Sequence, residues 1–166
     1  MYQIKKAIKE SAHDHSSVYL AEHKQTETEV CIKRIRLDKL QKRDEVFQVL
    51  QKYEFATLEQ VDHPKITRIL QVIKSEQTVD IVMEYAAEGS LGNWIKSQFI
   101  GQGRIKEDTV VYIMKQLMQG ISYLHEKGIC HRDLKPDNIL IEDFNFKDQP
   151  YVKLTDFGYA TVFKSD

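Results

Sequence analysis

Apolar residues in this chain follow two spacings: every second residue in five segments that end before residue 85, and every third or fourth residue in three others. Period-two alternation places successive side chains on opposite faces of a strand, whereas spacings of three and four place them on one face of a helix. The period-two segments are rich in β-branched residues and are separated by turn residues. They predict consecutive antiparallel strands over residues 2–9, 17–23, 29–36, 66–74 and 78–84.

Three segments have the spacing of a helix. In residues 44–61 one stripe carries Leu50, Glu54, Leu58 and Val61, and Pro64 ends the helix because proline disfavours the helical conformation of the residue before it. A short helix is predicted over residues 91–99. The longest pattern covers residues 107–127, and Gly128 after it supplies a left-handed cap.

The order of these segments predicts an α+β fold in two parts. Residues 1–85 form a small lobe of five antiparallel strands and one helix, and residues 86–166 form a mainly helical second part. The boundary follows Tyr85, where a short connector rich in small residues begins. The alternating strands of the first part indicate a sheet with at least one buried face.

Two charged residues occupy predicted apolar faces. Lys33 shares a strand face with Cys31 and Ile35, and Glu54 lies within the apolar stripe of the helix over residues 44–61. A single long charged side chain in such a position usually extends to water. A lysine and a glutamate on inward faces of adjacent elements can instead offset each other's desolvation, so the two together predict an ion pair.

The composition excludes several classes of protein. With 42% hydrophobic and 30% charged residues the chain is globular, and its formal net charge of −1 provides no general attraction for nucleic acid or an anionic membrane. Neither a membrane span nor a signal peptide is present in the sequence, which predicts a cytoplasmic protein. The two cysteines, Cys31 and Cys130, lie far apart, so a disulfide framework and a structural zinc site are not expected.

Polar residues that can take part in catalysis or metal binding are concentrated in two segments. These are residues 131–138, His-Arg-Asp-Leu-Lys-Pro-Asp-Asn, and Asp156-Phe157-Gly158. Five fixed residues in an eight-residue window arise by chance roughly once in a few million windows. This pair of motifs resembles the catalytic loop and the DFG triplet of protein kinases. The resemblance extends upstream to Val30–Lys33, to Glu54 and to Met83–Ala86, and it covers nearly the whole chain.

The resemblance implies phosphoryl transfer from ATP with Mg²⁺. Asp133 would accept or orient the proton of the substrate hydroxyl, and Lys135 would contact the transferred phosphate. Asn138 and Asp156 would supply the hard oxygen ligands that magnesium prefers. A lysine at position 135 is similar to the serine/threonine branch of the family, which implies a protein substrate with a Ser or Thr acceptor. His131 and Phe157 would stack behind the site.

The remaining site residues are implied by the same resemblance. Lys33, held by Glu54, would contact the α and β phosphates. Val18, Cys31 and Leu140 would enclose the adenine. Met83, Glu84 and Ala86 belong to the segment that stands where the family has its hinge.

The phosphate-covering loop departs from the family pattern. In kinases its glycines let backbone amides approach the phosphates, but here Ser11, His13 and Ser16 stand at the three glycine positions. Two interpretations follow: an active kinase whose more open loop still donates hydrogen bonds, or a pseudokinase that acts as a non-catalytic protein-binding module. A small-molecule kinase of the same fold is a third class, disfavoured by Lys135-Pro136.

The sequence ends eight residues after Gly158, at Asp166, before any APE motif or later helices of a kinase large lobe. The expected structure is therefore a small lobe and a partial large lobe. The apolar stripe of residues 107–127 would then be exposed, to be covered by a partner or by the rest of a large lobe.

Overall fold

The computed structural model describes residues 1–10, 16–37, 61–101, 103–145, 147–157 and 160–163. The helix predicted over residues 44–61 lies outside these ranges except for Val61. The chain divides into two compact units, of which the first comprises Met1–Phe55 and Arg68–Tyr85 and the second Ala56–Thr67 and Ala86–Asp166. The second unit therefore includes a segment that interrupts the first.

The first unit contains a five-stranded antiparallel sheet in the order β1-β2-β3-β5-β4. The strands are β1 (Tyr2–Lys9), β2 (Ser16–His23), β3 (Glu29–Arg36), β4 (Ile69–Lys74) and β5 (Thr78–Glu84). The five predicted strands are confirmed, and three have the predicted bounds. Strand β4 starts three residues later than predicted because Ile66 forms a parallel bridge with Leu154 and Thr67 donates its N–H to the Leu154 carbonyl in the second unit.

Alternation along the strands builds an apolar cluster on each face of this sheet. Val30 and Ile32 are buried on one face with Ala21 and Val82, and Tyr2 packs against them. The opposite face carries Val79 and Ile81 with several partly buried neighbours. The predicted separation of Val30 and Ile32 from Ile35 is thus confirmed. A bidentate pair also joins neighbouring strands, since Arg34 donates from Nε and Nη2 to the Asp80 carboxylate at 2.8 and 2.7 Å.

The second unit combines two helices with short strands. The helices are α1 (Leu91–Gly101) and α2 (Glu107–Glu126), and the strands are β6 (Ile129–Cys130), β7 (Ile139–Phe144), β8 (Pro150–Leu154) and β9 (Thr161–Val162). Both helix predictions are confirmed, with α1 two residues longer. Strand β7 starts at Ile139 because a 3₁₀ turn, Pro136–Asn138, holds the preceding residues. Gly128 has φ +69° and donates to the His125 carbonyl, as its predicted role as a cap requires.

One face of α2 packs against β8. Ile113, Leu117 and Leu124 are buried, as are Val152 and Leu154 of the strand. Gly120 permits close approach, since a Cβ atom added there would lie 3.1 Å from the Lys65 carbonyl oxygen and 3.3 Å from Leu154 Cδ1. The helix thereby holds the hairpin that precedes Asp156 and Phe157 of the second motif.

The side of α2 adjacent to this buried face is apolar and open to solvent. Its residues are between 44% and 54% exposed, and we call them the open face of α2: Val110, Val111, Met114 and Met118. The predicted apolar stripe is thus divided, since Ile113 and Leu117 are buried while Val110 and Met114 are not. Among the described helices none has both the length and the apolar character needed to cross a membrane.

Thr67 provides a test of this packing. Its side chain is 5% exposed, and its hydroxyl has no hydrogen-bond partner among the described residues. Because a buried unsatisfied hydroxyl costs about 1–3 kcal/mol, Thr67→Val should raise the free energy of unfolding by about 1 kcal/mol. Urea denaturation followed by circular dichroism measures the change.

The matched control is Thr28→Val, which removes an exposed hydroxyl that donates to Thr26 Oγ1 at 3.0 Å. It should leave stability unchanged or lower it slightly. A loss of stability in Thr67→Val would contradict the assignment of an unsatisfied hydroxyl.

Candidate active site

The loop between β6 and β7 carries the first motif. Lys135 is extended, with φ −152° and ψ 157°, as expected before a proline, and Pro136 then starts the 3₁₀ turn. The Asn138 N–H donates to the Lys135 carbonyl at 2.9 Å, which closes that turn. The turn brings Asn138 back beside Asp133, five residues earlier in the chain.

The Asp133 carboxylate is held by two donors. Its Oδ2 accepts hydrogen bonds from Lys135 Nζ and from Asn138 Nδ2, both at 2.7 Å. The bond from Lys135, with a smaller contribution from Asn138, holds the pKa of Asp133 below its usual value against the opposing effect of desolvation. The carboxylate is therefore ionised at neutral pH, and 23% of the side chain remains exposed to solvent.

Asn138 is the buried member of this group, at 6% exposure. Its Nδ2 also donates to the backbone carbonyl of Asp133 at 3.0 Å. Since both neighbouring atoms are acceptors, the amide orientation is fixed with nitrogen toward Asp133. The amide oxygen therefore faces away from Asp133. An amide oxygen is a hard ligand, which suits it to binding a cation.

His131 connects the two motifs. The Asp133 N–H donates to Nδ1 of the ring at 3.2 Å, and Nε2 lies 3.0 Å from the Thr155 carbonyl oxygen. Because Nδ1 accepts a hydrogen bond, the ring proton is on Nε2 and is donated to Thr155. The ring is buried and packs on Phe157 with centroids 4.9 Å apart. The predicted stack of His131 and Phe157 is confirmed.

A backbone hydrogen bond makes a second connection. The Thr155 N–H donates to the Asn138 carbonyl at 3.0 Å. Asp156 follows Thr155 directly, is half-buried, and has φ +63°. The predicted residues Asp133, Lys135 and Asn138 are therefore brought together, and the strand end that carries Asp156 is bonded to Asn138. Sequence reasoning missed Thr155, because it acts through backbone groups that any residue type supplies.

Strand register in the first unit groups five of the eleven predicted nucleotide-binding residues. Val18 lies opposite Lys33, Cys31 lies opposite Met83, and Ser16 lies opposite Ile35. Directly opposed residues share a sheet face, so Ser16, Val18, Cys31, Lys33 and Met83 lie on one face. Burial raises the pKa of the Cys31 thiol to about 11, against the opposing effect of Lys33, so this half-buried cysteine is protonated at neutral pH.

Three other predicted nucleotide-binding residues, Glu84, Ala86 and Leu140, are not part of this group on the shared sheet face. Glu84 exchanges hydrogen bonds with Arg68, accepting its N–H on Oε1 at 3.0 Å and donating its own N–H to the Arg68 carbonyl at 3.1 Å. The Ala86 carbonyl accepts from Gly89 at 3.3 Å, and Leu140 forms a bridge with Ser90. Ser11, His13, Glu54 and Gly158 lie outside the described residues, and the predicted pair of Lys33 with Glu54 stays a prediction.

Comparison with known proteins identifies the family of this chain. Residues 14–166 match the protein kinase domain as a family. The chain belongs to the protein kinase family. Serine/threonine-protein kinase ATG1c of Arabidopsis thaliana is 37% identical over 145 residues, which are 87% of this chain and 19% of that protein. Sperm motility kinase 2B of Mus musculus is 38% identical over 149 residues, which are 90% of this chain and 28% of that protein.

The protein kinase fold is also shown by a solved structure. A crystal structure of Rad53 residues 1–466 in complex with AMP-PNP has a TM-score of 0.74 and 30% identity, and the match covers 94% of this chain and 38% of that one. The α+β kinase fold predicted from sequence is confirmed. This kinase chain spans less than a third of the length of the two curated relatives described above.

The tautomer of His131 yields a pH prediction. Burial lowers the pKa of His131 below its ordinary value, although Thr155, Asp156 and Asp133 act in the opposite direction. A group with a lowered pKa in the folded state contributes stability above its ordinary pKa, about 6.5, and that contribution is lost as pH falls toward the folded-state value. An NMR titration of the His131 ring should give a midpoint below about 6.5, with the proton on Nε2 at neutral pH. A midpoint above that of an unfolded peptide, or a proton on Nδ1, would refute the assignment.

Proposed function

We propose that this chain is the ATP-binding and catalytic part of a protein kinase that transfers the γ-phosphoryl group of ATP to Ser or Thr hydroxyls of proteins. The observation that carries the proposal is the Asp133 carboxylate, which is ionised, partly exposed, and fixed by Lys135 and Asn138. Its similarity to the serine/threonine-protein kinase ATG1c supports the acceptor type. A cytoplasmic location remains a prediction from the sequence.

Phosphoryl transfer depends mainly on alignment and on neutralising charge, and the residues of the catalytic loop suit both tasks. The oxygen of the substrate hydroxyl bonds to the γ phosphorus, the bond from that phosphorus to the bridging oxygen breaks, and ADP leaves. Asp133 accepts the hydroxyl proton, because its carboxylate is already held in the ionised state. The Lys135 ammonium is 48% exposed beside Asp133 and can contact the transferred phosphate.

Magnesium fits the donor atoms of this site. Asn138 turns its amide nitrogen toward Asp133, which leaves a hard oxygen of the kind that Mg²⁺ prefers, and Asp156 supplies a carboxylate. We assign the metal to Asn138 and Asp156. When bound, the ion would neutralise phosphate charge. Lys33, on the face of the sheet shared with Val18 and Cys31, would contact the α and β phosphates.

Nucleotide binding is the first test. Thermal unfolding in the presence of ATP and Mg²⁺ should shift upward, because a ligand at 100 times its Kd stabilises the folded state by about 2.7 kcal/mol. Asp133→Asn should keep this shift and lose phosphoryl transfer, since Asp133 acts on the acceptor hydroxyl. Lys33→Met and Asp156→Ala should lose both. Transfer is measured with radiolabelled ATP and a mixed library of Ser-containing and Thr-containing peptides.

Asp62→Asn is the matched control, because Asp62 is exposed and its described contact is made by its backbone N–H. It should behave as the unmodified chain. Wild-type transfer in Asp156→Ala would refute the metal-ligand assignment. A folded chain that shows no shift with ATP and Mg²⁺ would favour the non-catalytic module instead.

The open face of α2 suggests a second part of the proposal, concerning partners. We infer that further kinase large-lobe protein covers this face, because the relatives contain much more chain than the matched portion and a helix apolar on both sides is typically buried. Protein substrates would approach the site on Asp133, not this face.

This inference predicts the behaviour of the isolated chain. Met114→Gln combined with Met118→Gln should reduce self-association, measured by sedimentation velocity, because it removes apolar surface that two copies can bury. Lys115→Gln combined with Ser122→Ala, on the same groove, is the control and should not. Equal self-association of the Met variant and the unmodified chain would show that the open face does not drive association.

A further inference from the structure

We infer that Gly92 is a positioning residue for the catalytic loop. It is buried in the first turn of α1, where that helix lies against the 3₁₀ turn Pro136–Asn138. A Cβ atom added to Gly92 would lie 2.5 Å from Asp137 Oδ1, 3.2 Å from Asp137 Cγ and 3.3 Å from the Asp137 backbone nitrogen. The first of these distances is below 3.0 Å, a separation that non-bonded Cβ atoms essentially never show, so an alanine at position 92 would require Asp137 to shift.

The absent side chain therefore lets the Asp137 carboxylate rest against the start of α1. The first N–H groups of a helix carry a partial positive charge, so a carboxylate is favoured at this end. Ser90 caps the same turn, accepting the Asn93 N–H on its Oγ at 3.2 Å. Asp137 of the catalytic loop thus packs against the capped N-terminus of α1.

The contact between Gly92 and Asp137 is linked to the Asp133 carboxylate through Asn138. Asp137 and Asn138 are consecutive in the 3₁₀ turn, and Asn138 Nδ2 holds the Asp133 carboxylate at 2.7 Å. A methyl group at position 92 would press on both the side chain and the backbone nitrogen of Asp137. The turn would move away from α1 and take the Asn138 amide with it, so Asp133 would lose its fixed position.

This inference rests on the proposed phosphoryl transfer for its kinetic test. Gly92→Ala should lower kcat by about tenfold to a hundredfold, because small misplacements of catalytic groups have effects of this size. The KM for ATP should change little, since Asp133 acts on the acceptor hydroxyl. Helix propensity works in the opposite direction, because alanine stabilises a helix more than glycine, so a purely helical effect would raise the melting temperature and leave kcat unchanged.

A double-mutant cycle with Asp137→Ala isolates the side-chain part of the contact. The fall in kcat caused by Gly92→Ala should be smaller in the Asp137→Ala background, because that change removes the Oδ1 and Cγ contacts and leaves only the contact with the backbone nitrogen at 3.3 Å. Asn93→Ala is the control, because its side chain is exposed on the same helical turn, and it should keep the unmodified kcat. Equal losses in both backgrounds would overturn the assignment.

A spectroscopic measurement separates this inference from the proposed activity. The Asn138 side-chain amide donates to an ionised carboxylate, so its NMR signals report the bond to Asp133 whether or not the chain transfers phosphate. These signals should shift in Gly92→Ala and return toward their original positions in the double variant that also carries Asp137→Ala. Unchanged signals in Gly92→Ala overturn the inference. If Gly92→Ala does not fold, the double variant must fold, and a double variant that is equally unfolded overturns it as well.

Discussion

The candidate active site depends on the ion pair and hydrogen bond that hold the Asp133 carboxylate. Lys135 and Asn138 approach the same oxygen atom at 2.7 Å, and the 3₁₀ turn that ends at Asn138 makes this possible. Charge-assisted bonds of this kind are stronger than neutral ones. They keep the carboxylate ionised and oriented while part of it remains open to a substrate. Asn138 also accepts the Thr155 N–H on its carbonyl, so one residue serves both loops.

The backbone is strained at one residue in each of the two motifs. Arg132 has φ +62° and Asp156 has φ +63°, in a region that costs a non-glycine residue of order 1 kcal/mol. Each strained residue is next to a residue that His131 contacts, namely Asp133 on one side and Thr155 on the other. The buried neutral ring thus holds the backbone next to two strained positions. Loss of this ring would release both loops together.

Local patterns predicted the parts of the structure that depend on local chemistry. The period-two spacing predicted all five strands of the first unit, and the position of Pro136 after Lys135 fits the extended backbone found there. The residues of the catalytic motif meet because only a few positions separate them. Three features could not be predicted from the sequence. Residues 66 and 67 belong to the second unit, Thr155 joins the two motifs through its backbone groups, and Asp137 packs against Gly92. Each depends on backbone groups or on space, which no side-chain pattern records.

Helix α2 shows why an apolar pattern does not by itself predict burial. Its residues Ile113, Leu117 and Leu124 pack toward β8, while Met114 and Met118, one position further around the helix, are about half exposed. Both sets keep helical spacing, because the two faces of one helix share the same period. A helix that is apolar on two sides needs two partners, and the described residues supply one of them. The second partner must present apolar surface along Val110 to Met118, since polar groups placed there would be desolvated without gaining hydrogen bonds.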